Sequence, residues 1–455
     1  MTKEKITIIG GGMTGLSAAY LAAKDGFEVT LLEGSSKVGG LLNTFEIGGN
    51  QLEHYYHHFF TQDAEFHWLL KELNLMDKVV YHKTTMGVFR NGKIYNFNGI
   101  VDLLKFRPAN LWDKFLWGLS TLYLGKMVKW EDKEHIATLD WFYKYSGKGM
   151  TDALWKPMLD IKFGPYADKV PLSWMIGRLA QRLNSRSGGD ERLAYIKGSW
   201  KVLLDKMVEE LTAMGVKIKV NEPVEELIIQ DNELKGIKTS KNKYSGGKYL
   251  ITIPSVYFDK VKNLPQSFGG NGVQYFGAVC TILELKKKFS DIYWMNVADE
   301  GYPFGGIIEH TNMIPKEEYN GSHILYLSRY FAMSEDLAGM DAQQIKERMI
   351  PPLKRINPEF SEDWIKDVHV FKTNTAATVC DLYFSEKVPQ SKTELKNLFV
   401  ANMAHIYPDE RSTNNSIRVA AEACGLMGVK TGHVPYGASL SGKIGFGNNP
   451  FEKVS

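Results

Sequence analysis

Two short stretches of this chain carry residue types spaced for chemistry. The first is Gly10-Gly11-Gly12-Met13-Thr14-Gly15, which follows the β-branched run at 6–9. Its G-x-G-x-x-G spacing between a strand and a helix suits a dinucleotide. Gly10 permits the tight turn, Gly12 lets the backbone approach a pyrophosphate, and Gly15 lets the helix pack closely on the strand. The helix N-terminus at Met13 and Thr14 then faces the anion. Glu33 ends the next strand, 18 residues after Gly15. A carboxylate there accepts hydrogen bonds from ribose hydroxyls and opposes a 2′-phosphate. Lys37-Val38-Gly39-Gly40-Leu41 brings a second bare backbone patch to the same ligand.

The second stretch is Glu53-His54-Tyr55-Tyr56-His57-His58, with three of the chain's eleven histidines in five positions. Imidazoles move protons near neutral pH, and tyrosines flank flat ligands. In an extended segment His54, Tyr56 and His58 share one face while Tyr55 and His57 share the other, so at most two of the histidines reach one site. Hydrogen-bonded aromatic filler is the alternative role. No metal is expected, because no fourth ligand and no carboxylate-histidine motif accompany the cluster. Weaker candidates are Glu309-His310, on an expected strand, and Tyr407 with Arg411, whose guanidinium suits an anion. Acid-base work is expected of His54, His57 and His310, and positioning of Glu309, Arg411 and Tyr407. A structural ion pair is the alternative for the charged ones.

The elements that must hold these residues follow from periodicity. Strand, helix and strand at 6–9, 14–24 and 28–32 make a β-α-β unit. Asn91-Gly92 supplies the positive φ angles of a type I′ hairpin turn. The pattern is helical from about 100 to 193, and another helix is expected at 202–214. Strands at 216–220 and 249–253 follow. Strand-like runs with one helix near 341–353 fill 275–384. A buried strand at 398–401 precedes a helix at 414–427 capped by Ser412 or Thr413. With α/β pieces at three separated places, the expected fold class is α/β: a discontinuous doubly wound, Rossmann-like domain from 1–50, 190–265 and 395–440. A mixed α+β substrate domain takes 51–189 and 266–394, helical near 100–189.

The joining of the first glycine motif to a Gly-Gly motif after the second strand resembles the FAD-binding family of flavin amine oxidases, phytoene desaturases and protoporphyrinogen oxidases. Many members have Arg after the paired glycines, where this chain has Leu41. The segments 195–204 and 220–224 are similar to the family's glycine turn, helix and strand, in which the residue matching Val224 contacts adenine through its backbone. The run 398–403 matches the C-terminal flavin strand, but Asn402-Met403 replaces the usual Gly-Asp, so a carboxylate is missing. The helix beginning at Asn414 and Asn415 would present backbone N–H groups to the reduced flavin edge. The resemblance implies an FAD-dependent oxidoreductase that removes hydride from a C–N or C–C unit, with FAD held noncovalently. His54-Tyr-Tyr-His57 also resembles the H-x-F-H segment of UDP-galactopyranose mutases, which implies a redox-neutral nucleotide-sugar reaction as the alternative. A flavin-binding subunit without turnover is a third reading.

Composition narrows the partners. The 455 residues hold 55 Lys+Arg against 52 Asp+Glu, a formal +3 that lacks the excess of a nucleic-acid binder. A small-molecule substrate is expected instead, with the oligomeric state open. Cys280, Cys380 and Cys424 are isolated and odd in number, which suits the reducing cytosol, and the start lacks a secretion-leader pattern. The expected location is cytoplasmic. Residues 103–130 mix aromatics with bases as an interfacial helix does, so peripheral membrane contact there stands beside core packing as a reading.

Overall fold

Lys5–Ile9 is buried on both faces beyond Lys5 because it lies at the centre of a parallel sheet, where helices cover both sides. Five parallel strands form that sheet in the order Lys217–Lys219, Glu28–Leu32, Lys5–Ile9, Lys248–Ile251 and Leu398–Val400. The strands come from three separated parts of the chain, and the α/β class is the one observed. The computed structural model describes residues 3–184, 186–187, 190–270 and 272–436. Of the expected segments, residues 1–2, 185, 188–189, 271 and 437–440 lie outside the described residues.

Small side chains let two helices meet over the sheet. Met13–Lys24 buries Ala18, Ala19 and Ala22 completely and packs on Thr413–Leu426, whose Ala420 and Ala423 are also fully buried. A second sheet, mixed and seven-stranded, runs Ile365–Thr378, Tyr275–Leu285, His323–Phe331, Gly306–Glu309, Trp294–Val297, Met86–Arg90, Lys93–Asn96. Its last hairpin turns at Asn91 and Gly92, with φ of 53° and 68°, as a type I′ turn requires. Six α-helices between Ile100 and Asn184 cover this sheet's flank, including Leu111–Met127, Lys156–Phe163 and Leu172–Asn184.

Two arrangements differ from the sequence expectation. The helical pattern does not reach 193, because Asp190–Ile196 is a strand paired with Phe59–Phe60 and Val79–Lys83. Helix Ala64–Glu72, from a segment assigned to the substrate part, packs instead into the core of the parallel sheet. There Phe66 stacks on Trp200 at 5.0 Å and shares a cluster with Leu31 and Ile417.

Candidate active site

A cleft of about 730 Å³ runs from the carboxyl ends of the parallel strands to the face of the seven-stranded sheet, the usual position for a ligand in this architecture. Gly10, Gly12, Met13, Thr14, Glu33, Gly39, Gly40 and Leu41 line one end. The turn is built for close approach. Gly10 has φ of 107°, and a Cβ on Gly15 would lie 1.9 Å from the Gly10 carbonyl oxygen, so only glycine lets the helix start there. A Cβ on Gly12, by contrast, would meet no atom within 4 Å. Gly39 N–H donates to the Gly11 carbonyl at 2.8 Å, and a Cβ on Gly40 would stand 3.4 Å from Gly12 Cα. The two glycine patches are thus one surface. Glu33 accepts from Gly11 N–H and Ser35 N–H, each at 2.7 Å, which fixes its carboxylate at the cleft edge. Gly15 itself and Val224 do not line the cleft. The turn before Val224 docks beside the acid, through Asn221 N–H to the Ser35 carbonyl and Glu222 N–H to the Glu33 carbonyl.

The C-terminal set divides. Met403, Ser412 and Thr413 border the cleft, whereas Asn402, Asn414 and Asn415 do not. Asn402 caps a 3₁₀ turn by accepting from Ala404 N–H, Asn414 bridges Phe66 N–H and the Glu65 carboxylate, and Asn415 donates to the Glu410 carbonyl. These amides secure loops and the helix start. Ser412 caps that helix through Asn415 N–H at 3.0 Å.

All three clustered histidines line the cleft, contrary to the alternation argument. The strand Asn50–Glu53 ends before them and the chain bends at His54 and Tyr55, so the two-residue period does not apply. His54 stacks on Phe371 at 4.0 Å. His57 Nδ1 lies 2.5 Å from the Tyr55 carbonyl, which can only accept, so Nδ1 carries the proton and Nε2 is an acceptor. Burial and then the Arg411 charge push its pKa down to about 3. His57 is therefore a neutral imidazole at physiological pH.

Glu309 and His310 are elsewhere. Glu309 is fully buried and accepts from Phe289 N–H, Ser290 N–H and the Thr311 hydroxyl, while His310 Nε2 pairs with the Tyr319 hydroxyl at 2.8 Å. Neither touches the cleft. Both brace the end of the central strand of the seven-stranded sheet. Tyr407 does line the cleft, but its hydroxyl pairs with that of Ser173, which makes it wall.

Opposite the glycine patches the cleft is cationic, with Lys162, Arg178, Arg182, Arg329 and Arg411 along it. Glu410 sits between Lys162 and Arg178 and bonds both, which holds its carboxyl well below the usual carboxylate range. Asp409 is paired with Arg418 at 3.2 Å, and Arg329 with Glu335 at 2.6 Å. Arg411 donates to the Tyr330 hydroxyl at 2.9 Å, and its buried Nε–H has no partner among the described residues.

A family model for flavin containing amine oxidoreductases matches residues 13–410. The chain belongs to that family. The carotenoid phi-ring synthase of Chlorobaculum tepidum is 23% identical over 286 residues, covering 56% of this chain and 42% of that protein. Curated relatives are matched over less than half of their own length. Among solved structures, reduced UDP-galactopyranose mutase superposes with a TM-score of 0.73 at 15% identity, covering 95% of each chain. Putrescine oxidase with bound putrescine gives 0.70 at 15% identity over 94% of this chain and all of that one. At such identities the superpositions speak for the fold.

As a flavin containing amine oxidoreductase, the protein takes FAD and falls in the FAD-dependent oxidoreductase class. The residues present fit that cofactor. Gly12 and Gly40 leave bare backbone where a pyrophosphate would lie, and Glu33 offers its carboxylate to a ribose. The N-terminal ends of Met13–Lys24 and Thr413–Leu426 both open on the cleft, where their N–H groups favour negative charge.

Several site residues escape a sequence reading. Arg178 and Arg182 are four apart on one helix face, the one periodic signal among the cations. Lys162, Arg329 and Tyr330 converge only through tertiary packing. Glu53, which heads the histidine stretch, does not line the cleft but is fully buried, accepting from the Tyr195 hydroxyl and Trp200 N–H at 2.8 Å, and burial pushes it up to about 7.

Proposed function

We propose that the protein oxidises an acidic organic molecule, removing hydride from a C–N or C–C unit beside the His54–His58 segment. Bound FAD supplies the two-electron acceptor. The observation that carries the reading is the cationic wall, where Lys162, Arg178, Arg182, Arg329 and Arg411 line one cleft. Arg178 and Lys162 are held in place by Glu410, so their charges are fixed before substrate arrives. His57 Nε2 accepts a hydrogen bond from substrate, and Tyr56, set edge-on against Trp294 at 4.7 Å, forms an aromatic wall. The substrate's acid groups then lie on the arginines and its reacting carbon toward the glycine-lined end.

A second reading, redox-neutral turnover of a nucleotide sugar, draws on the same cations, which suit a diphosphate, and on His54-Tyr-Tyr-His57 lying along the cleft. Anaerobic addition of acidic amines, carboxylates and nucleotide sugars to the holoenzyme separates the two. Bleaching of the oxidised flavin by an acidic compound supports oxidation. Conversion of a nucleotide sugar only after prior reduction favours the second reading. No response to any acidic compound in either redox state, with neutral analogues active, defeats both.

A further inference from the structure

The helix Leu111–Met127 is amphipathic in the unexpected sense. Its inward side, with Lys114, Ser120 and Leu124 buried, carries polar atoms. At 100° per residue, Leu111, Trp112, Phe115, Leu119, Leu122 and Tyr123 fall within an arc of about 120°. All six are exposed. Lys126 is the sole charge in that arc. The preceding helix Ile100–Lys105 extends the surface, since Ile100, Val101 and Leu104 are also more than half exposed. Of nineteen exposed large hydrophobic residues in the described chain, ten lie between Ile100 and Met127, so they form a patch rather than scatter.

The polar groups of these helices serve the fold. Lys114 Nζ donates to the Leu104 carbonyl at 2.9 Å and ties the two helices together, and Asp113 and Asp102 accept from Gly149 N–H and Asn98 N–H. Exposed bases lie at both ends of the patch, Lys105 and Arg107 at one and Lys129 at the other. Residues 100–129 hold five basic and two acidic side chains, and every base but Lys114 is exposed. We propose that this face docks on an anionic lipid surface, with the helix of about 25 Å lying in the interface plane, its apolar arc in the acyl boundary and its bases among headgroups.

Charge favours lipid over a second copy, because self-association would bring the exposed bases of two copies together. No described helix is long and apolar enough to cross a membrane, which leaves in-plane docking. The face also lies one helix from the cleft. Gly125 packs so tightly that a Cβ would stand 2.4 Å from Leu183, on the helix that carries Trp174, Arg178 and Arg182 to the cleft wall.

Flotation of the full-length holoprotein with vesicles tests this without reference to substrate. Binding is expected with phosphatidylglycerol-containing vesicles, weakened by salt and by replacing them with phosphatidylcholine alone. Phe115→Glu with Leu119→Glu should abolish flotation while FAD content and thermal midpoint stay unchanged. Lys105→Gln and Lys129→Gln should each weaken it about fivefold. Failure to float with anionic vesicles overturns the proposal, as does undiminished binding of the double glutamate variant. A concentration-dependent dimer that the same variant dissolves, with no flotation, assigns the face to a second copy instead.

Discussion

At the scale of single residues, the decisive fact about His57 is which atom is free. Its Nδ1–H is committed to a backbone carbonyl, and burial beside a guanidinium keeps the ring neutral down to about pH 3. A base that weak does not relay protons at neutral pH, and in the proposed reading its Nε2 serves a bound substrate as a hydrogen-bond acceptor. His57→Ala should therefore lower kcat/KM by about tenfold to a hundredfold, the equivalent of one buried hydrogen bond of about 1–3 kcal/mol. The shape of the pH profile should not change. Steady-state kinetics from acid to alkaline pH check this, and the loss of a titrating limb in the variant would restore a proton-transfer role. Sequence types pointed to this cluster, since three histidines among tyrosines are unusual. What they concealed was the local path: an alternating strand puts His54 and His57 on opposite faces, whereas the bend at His54 and Tyr55 turns all three histidines to the cleft.

At the scale of elements, the turn between Lys5–Ile9 and Met13–Lys24 assigns its glycines separate tasks. Gly15 closes the helix onto the strand and has no room for a side chain, while Gly12 faces open cleft. Gly12→Val should yield a folded protein that has lost FAD, with secondary structure by circular dichroism intact. Gly15→Val should fail at the earlier step, giving little soluble protein, because its Cβ would overlap the Gly10 carbonyl oxygen. A Gly12 variant that stays yellow would move the pyrophosphate elsewhere. This element was legible because its chemistry and its geometry both reside in six consecutive residues. The C-terminal element was less so. Asn402, Asn414 and Asn415 stand at the positions where the resemblance places cofactor contacts, yet their amides are spent on Ala404, Glu65, Phe66 and Glu410. Short polar side chains at helix starts satisfy backbone groups as readily as ligands, and sequence alone does not separate the two uses.

At the scale of the whole molecule, the cationic wall beyond Arg411 was illegible because Lys162, Arg178 and Arg329 lie on elements joined to it only by packing. The same packing buries titratable groups of opposite type. Burial raises Glu53, Asp63, Glu309 and Glu422 to about 7. It lowers His57 and His310 to about 3 and His405 to about 4. The raised carboxyls keep protons in the folded state that the unfolded chain releases above about pH 4, so the stability they contribute is lost as pH rises toward 7. The lowered imidazoles refuse protons that the unfolded chain takes up below about pH 6.5, so their contribution is lost as pH falls toward 3. Between about pH 4.5 and 6.5 the two sets oppose and flatten the pH dependence of the unfolding free energy, and below about pH 4 the lowered imidazoles and the ion-paired Glu410 carboxylate both favour unfolding. His310→Gln removes one imidazole from the balance. Across about pH 4.5 to 5.5 its stability should decline with rising pH by about 1.4 kcal/mol per unit more than the parent's. Urea unfolding at several pH values measures both slopes. Identical slopes would mean that His310 is protonated to the same extent folded and unfolded, which its burial against Tyr195, Tyr319 and Tyr326 does not allow.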